Sequence, residues 1–256
     1  MGSIALKLVL TPLFITVTTL AARRWGPVIG GLIVGLPLTS GPVSVFLAIE
    51  QGRDFAAAAA QSTLLGVLAV VAFCVSYAKC SRRLPWLVCA LAALCCYFLT
   101  VAAFSSVKLS LPASLFLVVA VISVCTWLVK PVSVAIPILP APRWDLPFRI
   151  MAATAIVLTI TAISSRLGPQ LSGLLSTFPV FICVMSAFSH KLNGPDATQQ
   201  FERGVVIGSF SFAAFFLTVS LLIHNSNLFV VYMTASVMAM GVNLAVFKLL
   251  VSHKRQ

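Results

Sequence analysis

Acidic residues are the scarcest chemistry in this chain: five Asp and Glu stand against 17 Lys and Arg in 256 residues. Charge of either sign makes up 9% of the sequence, where a soluble domain uses roughly 25% to cover its surface. That shortage excludes an ordinary water-soluble fold. Catalytic signatures are missing too. The chain has no H-E-x-x-H, no G-x-S-x-G, no Walker loop and no carboxylate pair inside an apolar run. An enzyme is therefore not expected, nor ATP hydrolysis, nor a cofactor. The seven cysteines form no C-x-x-C pair and fall within or at the ends of apolar runs. They read as small apolar filler, not as a metal site.

What is present is apolar: 60% of residues. Lipid is the expected solvent. The formal charge of +12 would raise nucleic acid as a partner of a soluble protein. Here the bases lie singly or in pairs between apolar runs, with no basic helix and no aromatic-interleaved patch. They read as orientation signals and contacts to anionic lipid headgroups. Membrane lipids are thus expected partners, and nucleic acid is not.

Apolar runs fall at about 5–21, 27–49, 55–78, 84–105, 110–129, 148–164, 169–190, 202–223 and 227–250. At about 20 residues per membrane-spanning helix, they predict an all-α polytopic membrane protein of about nine helices. The proline-rich stretch 130–149 reads as a loop. With the C-terminus inside, thirteen Lys and Arg lie on the inner side and four on the outer. That bias orients the chain with its N-terminus outside. The N-terminal run could be mistaken for a signal peptide, but it has an internal counterpart at 148–164 and reads as a retained span.

The counterpart belongs to a repeat at an offset of 142 residues. Arg24 meets Arg166, Gly26-Pro27 meets Gly168-Pro169, and Gly31-Leu32 meets Gly173-Leu174. Pro37 meets Pro179, Ser44 meets Ser186, and Phe46 meets Phe188. Gly52 meets Gly194, Asp54 meets Asp196, and Gly66 meets Gly208. Chance apolar similarity does not align Arg, Gly, Pro and Asp in one register. Residues 1–108 form the first four-helix repeat, 109–147 a linker helix and Pro-rich loop, and 148–256 the second repeat. Five spans separate equivalent points, so the second copy enters the membrane the other way up. The expected architecture is a 4+1+4 inverted-topology repeat.

Spans 2 and 7 carry proline where a helix tolerates it least. Pro37 and Pro42 interrupt span 2, and Pro179 interrupts span 7. Irregular backbone at membrane depth survives where protein or a watery cavity satisfies it. Broken helices in matching places of two inverted halves point to a transporter's central site. The substrate-binding candidates are Pro37, Thr39, Ser40, Gly41, Ser44, Ser176, Thr177, Phe178, Pro179 and Ser186. Small residues that merely let helices pack closely give the competing reading.

No charged residue falls clearly within the middle of a span. Asp54 and Asp196 sit shortly before apolar runs and read as helix N-caps. Glu202 and Arg203, at the start of span 8, read as an ion pair or gate. His190 lies at the edge of span 7, where water is expected to reach it. Asp54, His190, Asp196, Glu202 and Arg203 are the gating or coupling candidates.

Residues 173–210 resemble the GlpM-type small inner-membrane proteins. The likeness rests on Gly173-Leu174, Phe178-Pro179, His190, Gly194 and Arg203-Gly204. It covers about four spans and implies two such units fused in opposite orientation. The first half departs from it, with Leu36 for the Phe and Ala48 for the His. The resemblance implies a bacterial inner-membrane location and a link to envelope polysaccharide production.

The leading expectation is a secondary transporter working by alternating access on a small polar or anionic solute. A flippase for a lipid-linked envelope precursor is the alternative, and a non-transporting scaffold for envelope synthesis is the third.

Overall fold

The computed structural model describes residues 2–38, 40–107, 109–132, 142, 144–164 and 177–253. All regular structure among them is helical. The elements are α1 (Gly2–Trp25), α2 (Pro27–Val34), α3 (Ser40–Glu50), α4 (Arg53–Cys80), α5 (Trp86–Phe104), α6 (Leu111–Leu128), α7 (Asp145–Ser164), α8 (Val180–Leu222) and α9 (Leu228–His253). Among the described residues, five helices are long and apolar enough to cross a membrane: those at 53–80, 86–104, 111–128, 180–222 and 228–249.

The distribution of polarity is that of a membrane-embedded protein. Threonine and serine are buried at positions 11, 18, 19, 40, 44, 63, 114 and 186, while large apolar side chains face outward. Phe116 is 78% exposed and Trp127 76% exposed. A water-soluble fold could not leave such a surface uncovered.

Two boundaries differ from the sequence reading. Stretch 130–149 does not stay irregular to its end: α7 begins at Asp145, whose carboxylate binds Arg149 one turn on at 2.8 Å. Runs 169–190 and 202–223 are not separated by a loop either. Helix α8 passes from one to the other, broken only at Gly194 (φ 83°, ψ −178°). That conformation suits a residue without Cβ, and Pro195 then opens the second segment, where its missing N–H costs nothing. Gly52, between α3 and α4, has nearly the same angles (φ 87°, ψ 171°).

Helix α4 and the 195–222 segment of α8 run antiparallel. At one end Arg82, just past α4, pairs with Asp196 at 2.9 Å. At the other, Asp54 in the first turn of α4 lies 3.6 Å from His224, just past α8. The turns that follow match bond for bond. Ser81, Arg83, Leu84 and Cys89 donate to Tyr77, Cys80, Cys80 and Pro85; 142 positions on, Ile223, Asn225, Ser226 and Val231 donate to Val219, Leu222, Leu222 and Asn227.

Against this pair lies α2, held almost backbone to backbone on α8. A Cβ at Gly31 would sit 2.1 Å from the Phe201 carbonyl oxygen, and one at Gly204 would sit 2.2 Å from that of Val28. Gly31 and Gly35 face Gly204 and Gly208. This is the small-xxx-small approach by which membrane helices gain contact without a hydrophobic driving force.

Candidate functional site

The chain breaks at Pro37 for local reasons. Proline cannot donate the bond that would continue α2, and it disfavours helix at Leu36 before it. Leu38 N–H instead reaches back to the Leu36 carbonyl at 2.8 Å, and Gly41 N–H bonds the Pro37 carbonyl at 2.9 Å, starting α3. The same two bonds recur at Pro179. Val180 N–H bonds Phe178 at 2.8 Å and Cys183 N–H bonds Pro179 at 2.7 Å. Pro179 itself (φ −82°, ψ 55°) is close to the inverse γ-turn geometry. Each proline is thus the centre of a tight turn that opens a helix.

Each turn rests on the long helix of the other half. Gly35 approaches the Gly208 backbone, where a Cβ would come within 2.6 Å of the Gly208 Cα. Thr177, its counterpart 142 positions on, donates its hydroxyl to the Gly66 carbonyl at 3.3 Å. Gly66 is in turn the counterpart of Gly208.

The candidate side chains divide among separate partners. Ser44, on α3, lies 2.9 Å from the Tyr232 hydroxyl, which itself donates to the Ser44 carbonyl at 2.8 Å. Gly41 leaves room for the Phe215 ring, and Ser40 is buried beside it in sequence. On the other side Thr177 lies 3.2 Å from the Tyr97 hydroxyl, and Phe178 packs on Tyr97 and Phe98. Thr39 and Ser176 lie outside the described residues. Ser186 does not join either group: its hydroxyl donates to Glu202 Oε1.

Glu202 corrects the sequence reading most. It is not at a solvated span end but 0% exposed, inside the 195–222 segment. Its other oxygen, Oε2, is buried without a hydrogen-bond partner. Nor does it pair with Arg203. That guanidinium points away, to the Thr126 carbonyl at 2.7 Å and to the Val129 carbonyl, closing the C-terminal end of α6. At the opposite end of α6, Gln61, the counterpart of Arg203, donates to the Leu109 carbonyl at 2.6 Å.

His190 is not simply solvated. Its ring stands edge-on to Tyr77 of α4, and its Nδ1 is buried without a partner. The capping role read for Asp54 and Asp196 also fails. Gly52 caps α4 without a side-chain bond, and both carboxylates instead meet the residues past the opposite helix.

Sequence reasoning missed Asp145 altogether. It is 0% exposed and held between Arg23 of α1 at 2.6 Å and Arg149 at 2.8 Å, with the Arg149 guanidinium 4.8 Å over the Phe188 ring. Two arginines in turn distance of one apolar helix start were the available signal. For Glu202 the signal was its counterpart, Ala60, in a run of five alanines whose small side chains mark a closely packed face.

Comparison with family models, with curated proteins and with solved structures gave no match.

Proposed function

We propose that this protein is a secondary transporter of the inner membrane, built as an inverted repeat and moving a small polar or anionic solute by alternating access. One observation carries the reading: contacts recur under the 142-residue offset with the helices reversed. Arg82–Asp196 at one end answers Asp54–His224 at the other. Gly35 on Gly208 answers Thr177 on Gly66. Gln61 and Arg203 hold opposite ends of α6, as a linker helix lying across a two-fold axis would require.

Such a molecule has two equivalent ways to open, one toward each side of the membrane, because each half can take the position of the other. The proline turns at 37 and 179 would then lie at the moving seam. The irregular backbone of these turns, whose carbonyl oxygens can each accept a second hydrogen bond, together with Ser40, Ser44 and Thr177 nearby, offers neutral partners for a polar solute. A chain with no nucleotide motif draws its energy from gradients.

The test has two parts. A panel of small polar and anionic solutes is screened for thermal stabilisation of the detergent-purified protein, since a ligand stabilises the state it binds. The stabilising solute is then loaded into liposomes with and without the protein. Protein-dependent flux supports the reading, and flux should be lost in the Pro37→Ala, Pro179→Ala double variant. Bleaching of a fluorescent lipid across the bilayer without solute flux would replace it with a flippase. Neither activity would leave a scaffold.

A further inference from the structure

Three of the five acidic residues have a basic partner: Asp54, Asp145 and Asp196. Glu202 is the fully buried acid without one; its Oε2 has no partner at hydrogen-bond distance, and besides Ser186 the Cys74 thiol, a weak donor, is what approaches the carboxyl group. Taking an ionised carboxylate out of water without a countercharge costs several kcal/mol, about as much as a small domain's whole stability margin. A side chain that served only packing would not be glutamate there, since the matching position in the first half is Ala60.

The surroundings decide what the free oxygen holds. Cys74 and Tyr77 of α4 and Cys183 in the first segment of α8 are the titratable groups around it, and the Cys74 thiol is the one that reaches the carboxyl group. The face of α2 that meets this segment offers glycine backbone, and Arg203 is turned to α6. A sodium or calcium ion needs about six oxygen ligands. Here Ser186 is the one hydroxyl bonded to the carboxyl group, and the other neighbours are thiols and an aromatic ring. A proton needs one oxygen. One helical turn beyond Ser186, His190 presents a second buried and unpartnered acceptor, Nδ1, beside Tyr77 and near the Arg82–Asp196 end of the bundle.

We propose that Glu202, bridged by Ser186 and reached through His190 from the Arg82–Asp196 end, is a proton-carrying site, and that solute movement is coupled to it. This rests on the transporter reading above. In the step itself hydronium at the Arg82–Asp196 end gives its proton to the His190 imidazole; the N–H bond so formed then breaks as an O–H bond forms at Oε2, which leaves the imidazole and the carboxyl group neutral. On release that O–H bond breaks and the proton passes to water when the opposite side opens. Buried carboxyl groups at a helix seam are where membrane proteins move protons.

The experiment is pH-difference infrared spectroscopy of the full-length protein in lipid, reading the carbonyl stretch of protonated carboxyl groups. With five acids in the chain, one band is assignable. The wild type should show a titrating band that E202Q lacks. S186A should keep the band and move its midpoint, because it removes the donor to Oε1. H190Q should keep the band and slow its response to a pH jump. Thermal unfolding confirms that each variant is folded. Equal spectra for folded wild type and E202Q overturn the site. Because the readout needs no solute, the two readings fail separately. A titrating Glu202 in a protein that moves nothing refutes the transporter, and flux indifferent to pH and to E202Q refutes coupling.

Discussion

Replacing Gly31 with alanine tests the seam between α2 and α8. The new Cβ would lie 2.1 Å from the Phe201 oxygen, 2.8 Å from the Val205 nitrogen and 2.9 Å from the Gly204 Cα. All three are backbone atoms, so no side chain can rotate aside. Relief requires the helices to part by about 1 Å, which strips contacts along the whole interface. Overpacking of this kind costs about 1–3 kcal/mol, and more where the backbone must move. Against it stands the gain in helix propensity from Gly to Ala, about 1 kcal/mol. We expect a net loss of roughly 2 kcal/mol, taking the overpacking cost at its upper end. At roughly 2–4 °C per kcal/mol for a chain of this size, Tm should fall by about 4–8 °C. Gly241→Ala is the control, because its Cβ meets nothing within 4 Å; it should hold or raise Tm. The assay is thermal unfolding in one detergent, read by intrinsic fluorescence. Equal Tm for the two variants would refute the close approach, and with it the packing of the broken helix on the opposite half.

Asp145→Asn leaves Arg23 and Arg149 with no carboxylate at a buried position. Breaking a buried charge network costs about 3–5 kcal/mol, so the folded yield in detergent should drop sharply, and much further than for Arg82→Gln at the exposed pair. Tyr232→Phe removes a hydroxyl that serves both the carbonyl and the side chain of Ser44. A loss of about 1–3 kcal/mol is expected, with faster hydrogen exchange confined to α3 and its preceding turn.

The helices were legible in the sequence because they are written in residue types with strong local consequences. Proline at 37 and 179 ends any helix approaching it, and glycine at 52 and 194 marks a kink. Of the nine runs expected, five helices of sufficient length and apolarity appear among the described residues, and one of them, 180–222, joins two runs. Pairing was harder to read. Spans 2 and 7 were expected to meet at a shared site, yet the contacts that hold each proline turn go to the long helix of the other half, Gly208 and Gly66. Helix order says nothing of which faces meet, and glycine spacing alone does not name a partner. Glu202 was misread because distance from the nearest loop was taken as depth. The turn at Gly194 is a single residue, so the helix resumes at once and carries Glu202 into the core. Asp145 escapes a reading of the sequence because the proline-rich stretch around it hides a helix start.

Positions 142 residues apart share several backbone hydrogen bonds and differ in chemistry, and the differences cluster. Ala60 answers Glu202, Ala48 answers His190, and Gln61 answers Arg203. On the transporter reading proposed above, identical halves would give two equal states with no preference between them, and the buried Glu202 and the His190 that lack ionisable counterparts would make those states unequal. The end pairs differ as well. Arg82–Asp196 joins a guanidinium to a carboxylate at 2.9 Å, whereas His224–Asp54 joins an imidazole to a carboxylate at 3.6 Å. Exposed pairs of this kind contribute about 0–1 kcal/mol, enough to tilt a two-state equilibrium up to about fivefold but not to lock it. Arg82→His makes the first pair a chemical copy of the second. Above neutral pH it should loosen that end alone. Hydrogen exchange at 81–84 and 194–198 should then quicken by up to about fivefold, with 223–226 unchanged. Equal acceleration at both ends would mean that the pairs do not act as separate latches, and the asymmetry would have to be sought in the buried groups.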